Sequence, residues 1–328
     1  MNYILLILGF FLLIKGADYF VDGSSNIANI LNIPPVVIGL TIVAFGTSAP
    51  EAAVSITASL DGQNVMAMGN VIGSNIFNVL MVVGAAGYVR TLHIENSILS
   101  KEFPFLLFTS ILIIFLTGDS LFSNSSVNIL SKFDGIILLV LFCLFFYNLI
   151  KTALKSRNEF TEAENFISID SDVISYSIDQ PLYKSIFYSI FGMIAIIIGG
   201  KLVVYCGSYI ASTFGISDKL IGLTIVSIGT SLPEFITSII AATKGESDIA
   251  LGNVIGSNIF NILFVLGVSS FISPITVQNG LLLDGIFMII VTLITYIFAS
   301  RKKDVNKIES LTLIGLYLFY MAYLIMTA

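Results

Sequence analysis

Apolar residues fall along the chain in runs of roughly 20, separated mostly by short polar connections, and they lack the strict alternation of a membrane strand. About 20 apolar residues coil into a helix about 30 Å long, the thickness of a bilayer's hydrocarbon. The pattern predicts ten spans, near 2–22, 34–60, 66–88, 103–118, 134–152, 185–212, 218–243, 249–272, 279–299 and 310–327. The longest polar stretch, 155–184, divides them five and five. The expected fold is an all-α membrane protein with a five-helix unit over 1–154, an acidic linker over 155–184 and a second five-helix unit over 185–328. The run from Met1 to Phe20 begins without Lys or Arg, contains Lys15 and Asp18, and lacks a following cleavage pattern, so it reads as a retained helix.

Composition agrees with a membrane bundle. Of 328 residues, 56% are hydrophobic and 11% charged, where a soluble domain carries about 25% charged residues; the mean hydropathy is +0.97. A net charge of −6 leaves no basic face for phosphates and excludes a nucleic-acid partner. Nothing in the chain implies an obligate protein partner or a resident cofactor. Basic residues set the orientation. With 155–184 in the cytoplasm, eleven of them (Arg90, Lys101, Lys151, Lys155, Arg157, Lys184, Lys244, Arg301, Lys302, Lys303 and Lys307) fall on that side, and only Lys132 and Lys219 opposite. Both termini are then extracytoplasmic.

Some features carry bland readings. Glu159, Glu162, Glu164, Asp170, Asp172 and Asp179 lack the spacing and turn glycine of an EF-hand and read as a solvated linker. Cys143 and Cys206 lie in apolar runs and read as small buried hydrophobes. Lys15 and Asp18 read as a local pair, and His93 as a solvated loop residue. Gly39, Gly69, Gly73, Gly222, Gly252 and Gly256 read as positions of close helix packing.

The chain repeats itself. Residues 39–59, GLTIVAFGTSAPEAAVSITAS, match residues 222–242, GLTIVSIGTSLPEFITSIIAA, at thirteen of 21 positions. GNVIGSNIFNVL at 69–80 matches GNVIGSNIFNIL at 252–263 at eleven of twelve, and both matches share one offset of 183 residues. Five spans per unit is an odd number, so the second copy enters the membrane from the opposite side. Such inverted repeats typify secondary transporters, with the site near the midplane between them.

Each copy carries the same chemistry. Pro50 and Pro233 lack an N–H and free the carbonyl four residues earlier, at Gly46 and Gly229. Lipid tolerates such a break only where protein, water or an ion meets the freed oxygen. Glu51 and Glu234 place carboxylates at mid-bilayer, where an ionisable group is a functional candidate. Around them stand Thr47, Ser48, Thr230 and Ser231, with Ser74, Asn78, Ser257 and Asn261 from the following spans, the serine and asparagine one helical turn apart. The set is hard oxygen without His or Cys, which suits Na⁺ and Ca²⁺ better than zinc or copper. The bland alternatives are a proton-sharing or solvated glutamate pair that holds the bundle together, and helix–helix hydrogen bonding by the Ser and Asn side chains.

These two GTS-x-PE segments, each followed by GNVIGSNIFN, resemble the paired alpha repeats of the sodium/calcium exchanger family within the calcium/cation antiporters, alpha-1 at 39–80 and alpha-2 at 222–263. The resemblance covers essentially the whole chain. It implies that Glu51 and Glu234 bind Ca²⁺ centrally with the backbone carbonyls of Thr47 and Thr230. It implies competing Na⁺ sites from Ala44, Ser48 and Ser74, and from Ser227, Ser231 and Ser257, with Asn78 and Asn261 completing the centre. In the family, spans one and six slide across the other eight. Ser227 departs from a usual alanine, and Asn261 from an aspartate found in some relatives, including potassium-dependent ones. The linker is too short for the calcium-sensing domains of animal exchangers, so a prokaryotic member is implied.

The expected function is Na⁺/Ca²⁺ antiport in the cell membrane, electrogenic and K⁺-independent. A Ca²⁺/H⁺ antiporter on the same scaffold and a cation channel stand as alternatives. An enzyme is not expected, because no nucleophile–base pair or metal-ligand cluster appears in the sequence.

Overall fold

A computed structural model describes residues 2–118, 128–167, 181–214 and 227–327. The described helices are α1 (Asn2–Leu31), α2 (Pro35–Thr47), α3 (Ala49–Leu60), α4 (Asn64–Val89), α5 (Ile98–Thr117), α6 (Lys132–Ile167), α7 (Leu182–Thr213), α8 (Ser227–Thr230), α9 (Leu232–Lys244), α10 (Ser247–Ile272), α11 (Asn279–Lys302) and α12 (Lys307–Thr327). Among the described residues, eight helices are long and apolar enough to cross a membrane, and the bent pair α2–α3 makes a ninth. The span expected at 218–243 falls partly outside them.

Burial runs inside out relative to a soluble protein. Ile4, Ile7, Phe11, Phe187, Phe191 and Phe319 lie on the exposed surface, where lipid solvates them, whereas serines, asparagines and both repeat glutamates are buried. α10 is the central helix, with every residue from Ile249 to Ile262 buried. Its equivalent at the 183-residue offset, α4, packs beside it and is the next most buried.

Helix ends depart from the polarity pattern. α1 continues nine residues beyond the expected 22, where its polar Asp22, Ser24 and Ser25 meet partners. Ser24 Oγ lies 3.1 Å from Ser189 Oγ, and Ser25 donates to Glu246 Oε1 at 2.6 Å. α1 stops at Asn32, in the left-handed region at φ 54°, before Pro34 and Pro35 open α2. α6 runs to Ile167 through what reads as linker, since 153–167 is rich in Ala, Lys, Arg and Glu and holds no Gly or Pro to stop it. The rest of the linker, 168–180, lies outside the described residues.

α1 and α7 form an antiparallel pair along their length, held face to face by a heptad of small residues. A Cβ on Gly192 would sit 2.6 Å from the Gly16 carbonyl oxygen, and one on Gly199 2.7 Å from that of Gly9. One on Gly23 would sit 2.6 Å from the Ser185 carbonyl oxygen. At its far end α1 is tied to the α9–α10 turn by Lys244, which pairs with Asp18 and, at 2.7 Å, with Asp22. Lys15 does reach Asp18, at 3.5 Å, but the partner from the distant turn is the closer one.

Two small antiparallel strand pairs stitch the units together. β1 (Leu92–His93) pairs with β4 (Asp304–Val305), and β2 (Asn128–Leu130) with β3 (Ile275–Val277), so each pair joins the first half to the second. His93 is exposed, though in a strand and not a loop. Cys206 is buried as expected, but Cys143 lies on the exposed apolar surface beside Val140, Leu144 and Phe271. Gly39 and Gly252 meet backbone to backbone, whereas Gly69 has room for a side chain, its nearest neighbour being Leu281 at 3.7 Å. Gly222 lies outside the described residues.

The α1–α7 contact yields a stability prediction. Gly192→Val should cost about 1–3 kcal/mol by overpacking, read as a lower unfolding temperature in detergent. Gly315→Ala, where a Cβ meets nothing within 4 Å, should stay within about 0.5 kcal/mol of the parent.

Candidate cation site

Backbone breaks place the polar side chains. α2 and α3 meet at a 50° bend, where Ser48 leaves the helical region at ψ 5°. Ser231 does the same between α8 and α9, also at ψ 5°. Both follow from a proline in the first turn of the next helix, which has no N–H to continue the ladder. Glu51 and Glu234 then stand in the first turn of α3 and α9, where unpaired N–H groups and the helix dipole favour negative charge. A second irregularity lies opposite. α4 and α10 each contain a π-helical turn, at Asn78–Val82 and Asn261–Val265, opening at the asparagine of the repeat. π turns insert a residue into the helix and recur at functional sites.

The two copies then bond to each other reciprocally. Ser48 donates to Glu234 Oε1 at 2.8 Å, and Ser231 donates to Glu51 Oε1 at 2.9 Å. Ser257 also reaches Glu234 Oε1, at 3.5 Å. Thr47 donates to Asn253 Oδ1 at 2.9 Å, and Thr230 to Asn70 Oδ1 at 3.5 Å. Asn70 in turn donates to Ser55 at 3.0 Å, and Asn253 to Ser238 at 2.9 Å. Each of these bonds has a counterpart at the 183-residue offset except the Ser257–Glu234 contact, whose equivalent serine, Ser74, makes none among the described residues.

Both glutamates are 0% exposed. Among the described residues each keeps one oxygen without a hydrogen-bond partner, Glu51 Oε2 and Glu234 Oε2. Asn78 Oδ1, Asn261 Oδ1 and Ser74 Oγ are likewise buried without partners. Buried polar atoms are normally satisfied, so five such oxygens in one constellation need an explanation. All can accept, and the two carboxylates call for positive charge, which a bound cation or protons can supply. Among the described residues no group of three or more His, Cys, Asp or Glu side chains stands together, so the oxygens come from mixed carboxylate, amide and hydroxyl groups.

Most of the expected residues lie within this network. Thr47, Ser48, Glu51, Ser74, Asn78, Thr230, Ser231, Glu234, Ser257 and Asn261 are all buried. The Ala44 carbonyl accepts from Thr47 Oγ1 at 3.3 Å and Ser257 Oγ at 3.4 Å. Ser227 opens α8, and its side chain lies outside the described residues. Ser55 and Ser238 were not among the sequence candidates, and neither were four asparagines of the network: Asn70, Asn253, and Asn75 and Asn258, which accept from the Asn261 and Asn78 amides at 3.2 and 3.0 Å. Their signal was in the repeat, where each position holds the same residue in both copies.

A multi-pass helical bundle with broken helices and buried oxygens at the junction of two repeats defines a membrane transporter for ions. The family model described as "Sodium/calcium exchanger protein" matches residues 1–151 and 184–326. The chain is 34% identical over 344 residues to Sodium/calcium exchanger MaX1 of Methanosarcina acetivorans, covering 99% of this chain and 97% of the relative. It is 37% identical over 325 residues to Putative antiporter CaxA of Alkalimonas amylolytica, covering 97% and 96%. The solved sodium-calcium exchanger NCX_Mj superposes with a TM-score of 0.81 at 31% identity, covering 98% of each chain. This chain therefore belongs to the sodium/calcium exchanger family, a family of transporters and not of enzymes.

The reciprocal network makes unequal demands on its two ends. Asn253→Ala leaves the wholly buried Thr47 hydroxyl only its longer 3.3 Å bond to the Ala44 carbonyl, also removes the donor to Ser238, and should destabilise by about 1–3 kcal/mol. Asn70→Ala should cost less, because Asn70 is half-buried and its bond to Thr230 is the longer at 3.5 Å. Thermal unfolding of the two variants in one detergent checks the order.

Proposed function

We propose that this protein exchanges Na⁺ for Ca²⁺ by alternating access. In this reading ten spans form two inverted five-helix repeats in the cell membrane, with both termini extracytoplasmic and the central segment cytoplasmic. The observation that carries the reading is the set of unpartnered buried oxygens on Glu51, Glu234, Asn78, Asn261 and Ser74. They come from both copies and are acceptors of the hard type that Na⁺ and Ca²⁺ prefer.

Glu51 and Glu234 hold Ca²⁺ at the centre, joined by the Thr47 and Thr230 carbonyls. Na⁺ competes through Ala44, Ser48 and Ser74 in one copy and Ser227, Ser231 and Ser257 in the other. Asn78 and Asn261 complete the centre without adding charge, so potassium is not required. Two carboxylates neutralise one Ca²⁺, whereas three Na⁺ leave one positive charge. Exchange at that ratio moves net charge, and the membrane potential contributes about 2.3 kcal/mol per charge per 100 mV. The empty site resists switching because it would carry two desolvated carboxylates. Calcium extrusion driven by sodium entry is the direction that an inside-negative potential favours.

Proteoliposomes test this. Vesicles loaded with Na⁺ and diluted into choline medium should take up ⁴⁵Ca²⁺, and choline-loaded vesicles should not. An imposed inside-positive potential should speed uptake, since net positive charge leaves with sodium. Glu51→Gln and Glu234→Gln should each reduce the flux by at least about tenfold, equivalent to about 1.4 kcal/mol. Uptake that follows a pH gradient without Na⁺ would establish proton coupling in place of sodium.

A further inference from the structure

We propose that Asn75 and Asn258 are positioning residues that dictate which end of the Asn261 and Asn78 amides faces the centre, so that oxygen and not nitrogen meets the ion. The proposal rests on the cation-site reading above. It starts from an ambiguity peculiar to asparagine. The two ends of a side-chain amide are nearly the same size, yet one only donates and the other only accepts. A cation tolerates only the oxygen. A carboxylate has no wrong end, but this chain carries the neutral amide at both positions.

The ambiguity is resolved by two backbone carbonyls, which can only accept. The Asn258 carbonyl lies 3.2 Å from Asn75 Nδ2, so that end of Asn75 has to be its NH₂ group. The Asn75 oxygen is thereby turned toward Asn261 and accepts from Asn261 Nδ2 at 3.2 Å. With its nitrogen so engaged, Asn261 has only its oxygen left, and that oxygen is buried and unpartnered. The mirror sequence runs from the Asn75 carbonyl. It accepts from Asn258 Nδ2 at 3.1 Å, Asn258 Oδ1 accepts from Asn78 Nδ2 at 3.0 Å, and Asn78 Oδ1 is left free.

Flipping Asn261 would set its oxygen against that of Asn75 and turn an NH₂ toward the carboxylates' cation. All four side chains are buried, so water cannot repair the mismatch. Each polarity is set by a carbonyl of the opposite copy, which makes correct orientation depend on the two halves being docked.

The test uses the full-length protein and Ca²⁺ alone as probe, by titration calorimetry in Na⁺-free detergent buffer and by the concentration dependence of ⁴⁵Ca²⁺ uptake. Asn75→Ala should weaken Ca²⁺ binding by roughly 10- to 100-fold, the usual effect of losing a group that orients a metal ligand. In an Asn261→Asp background, where either end is an oxygen and one of them already faces the Asn75 oxygen, the same Asn75→Ala change should cause no loss of affinity. An equal loss in both backgrounds would make Asn75 merely structural and overturn the proposal. Asn258→Ala with and without Asn78→Asp repeats the test on the other copy should the first variant not fold. Absence of any saturable wild-type binding that Glu51→Gln abolishes would remove the site reading itself. Intact wild-type binding with no dependence on background would remove only the orienting role.

Discussion

A carboxylate in the middle of a bilayer has to be met by hydrogen-bond donors or by positive charge, because lipid offers neither water nor counter-ions. Glu51 and Glu234 are met halfway. One oxygen of each accepts a serine hydroxyl from the opposite copy, Ser231 and Ser48 respectively, and the other has no hydrogen-bond partner among the described residues. The bundle around them serves that arrangement. The helix breaks at Ser48 and Ser231 turn first-turn N–H groups and carboxylates inward, and α4 and α10 bring the amides opposite.

Two similar stretches that bond across an axis form a closed contact, in which each side completes the other. Neither copy can satisfy Asn75 or Asn258 alone, since the carbonyls they donate to lie 183 residues away. The strand pairs extend the same dependence outward, joining Leu92 to Val305 and Leu130 to Ile275. α1 and α7 stand apart from this interlock. They hold chiefly to each other, and α1 reaches the rest partly through charged side chains on the α9–α10 turn.

The residues of the candidate site were legible in the sequence because duplication singles out residues that one copy would leave ambiguous. Glu51 and Glu234 announce themselves as charges in apolar runs, and the Pro–Glu breaks follow from the missing N–H of proline. Asn75 and Asn258 did not stand out, although they repeat. Their importance lies in which atom of one helix faces which atom of another, and spacing along one helix does not encode that. The Gly9–Gly16–Gly23 face was missed for a similar reason, since a heptad of glycines gains meaning only beside Ser185, Gly192 and Gly199. Helix ends at Leu31 and Ile167 outran the hydropathy pattern because a helix need not stop where the membrane does. Lys244 looked like a loop charge until the fold set it beside Asp18 and Asp22.

The glycine face on α1 and α7 also works as a ruler. Gly9, Gly16 and Gly23 face Gly199, Gly192 and Ser185 in turn, with seven residues between successive contacts on either helix. The next register in which small residues would again oppose one another is a full heptad away, about 10.5 Å along the axis. Any lesser slip drives a side chain into a carbonyl. The two helices are therefore keyed to each other, and their common register is fixed by the spacing of the glycines.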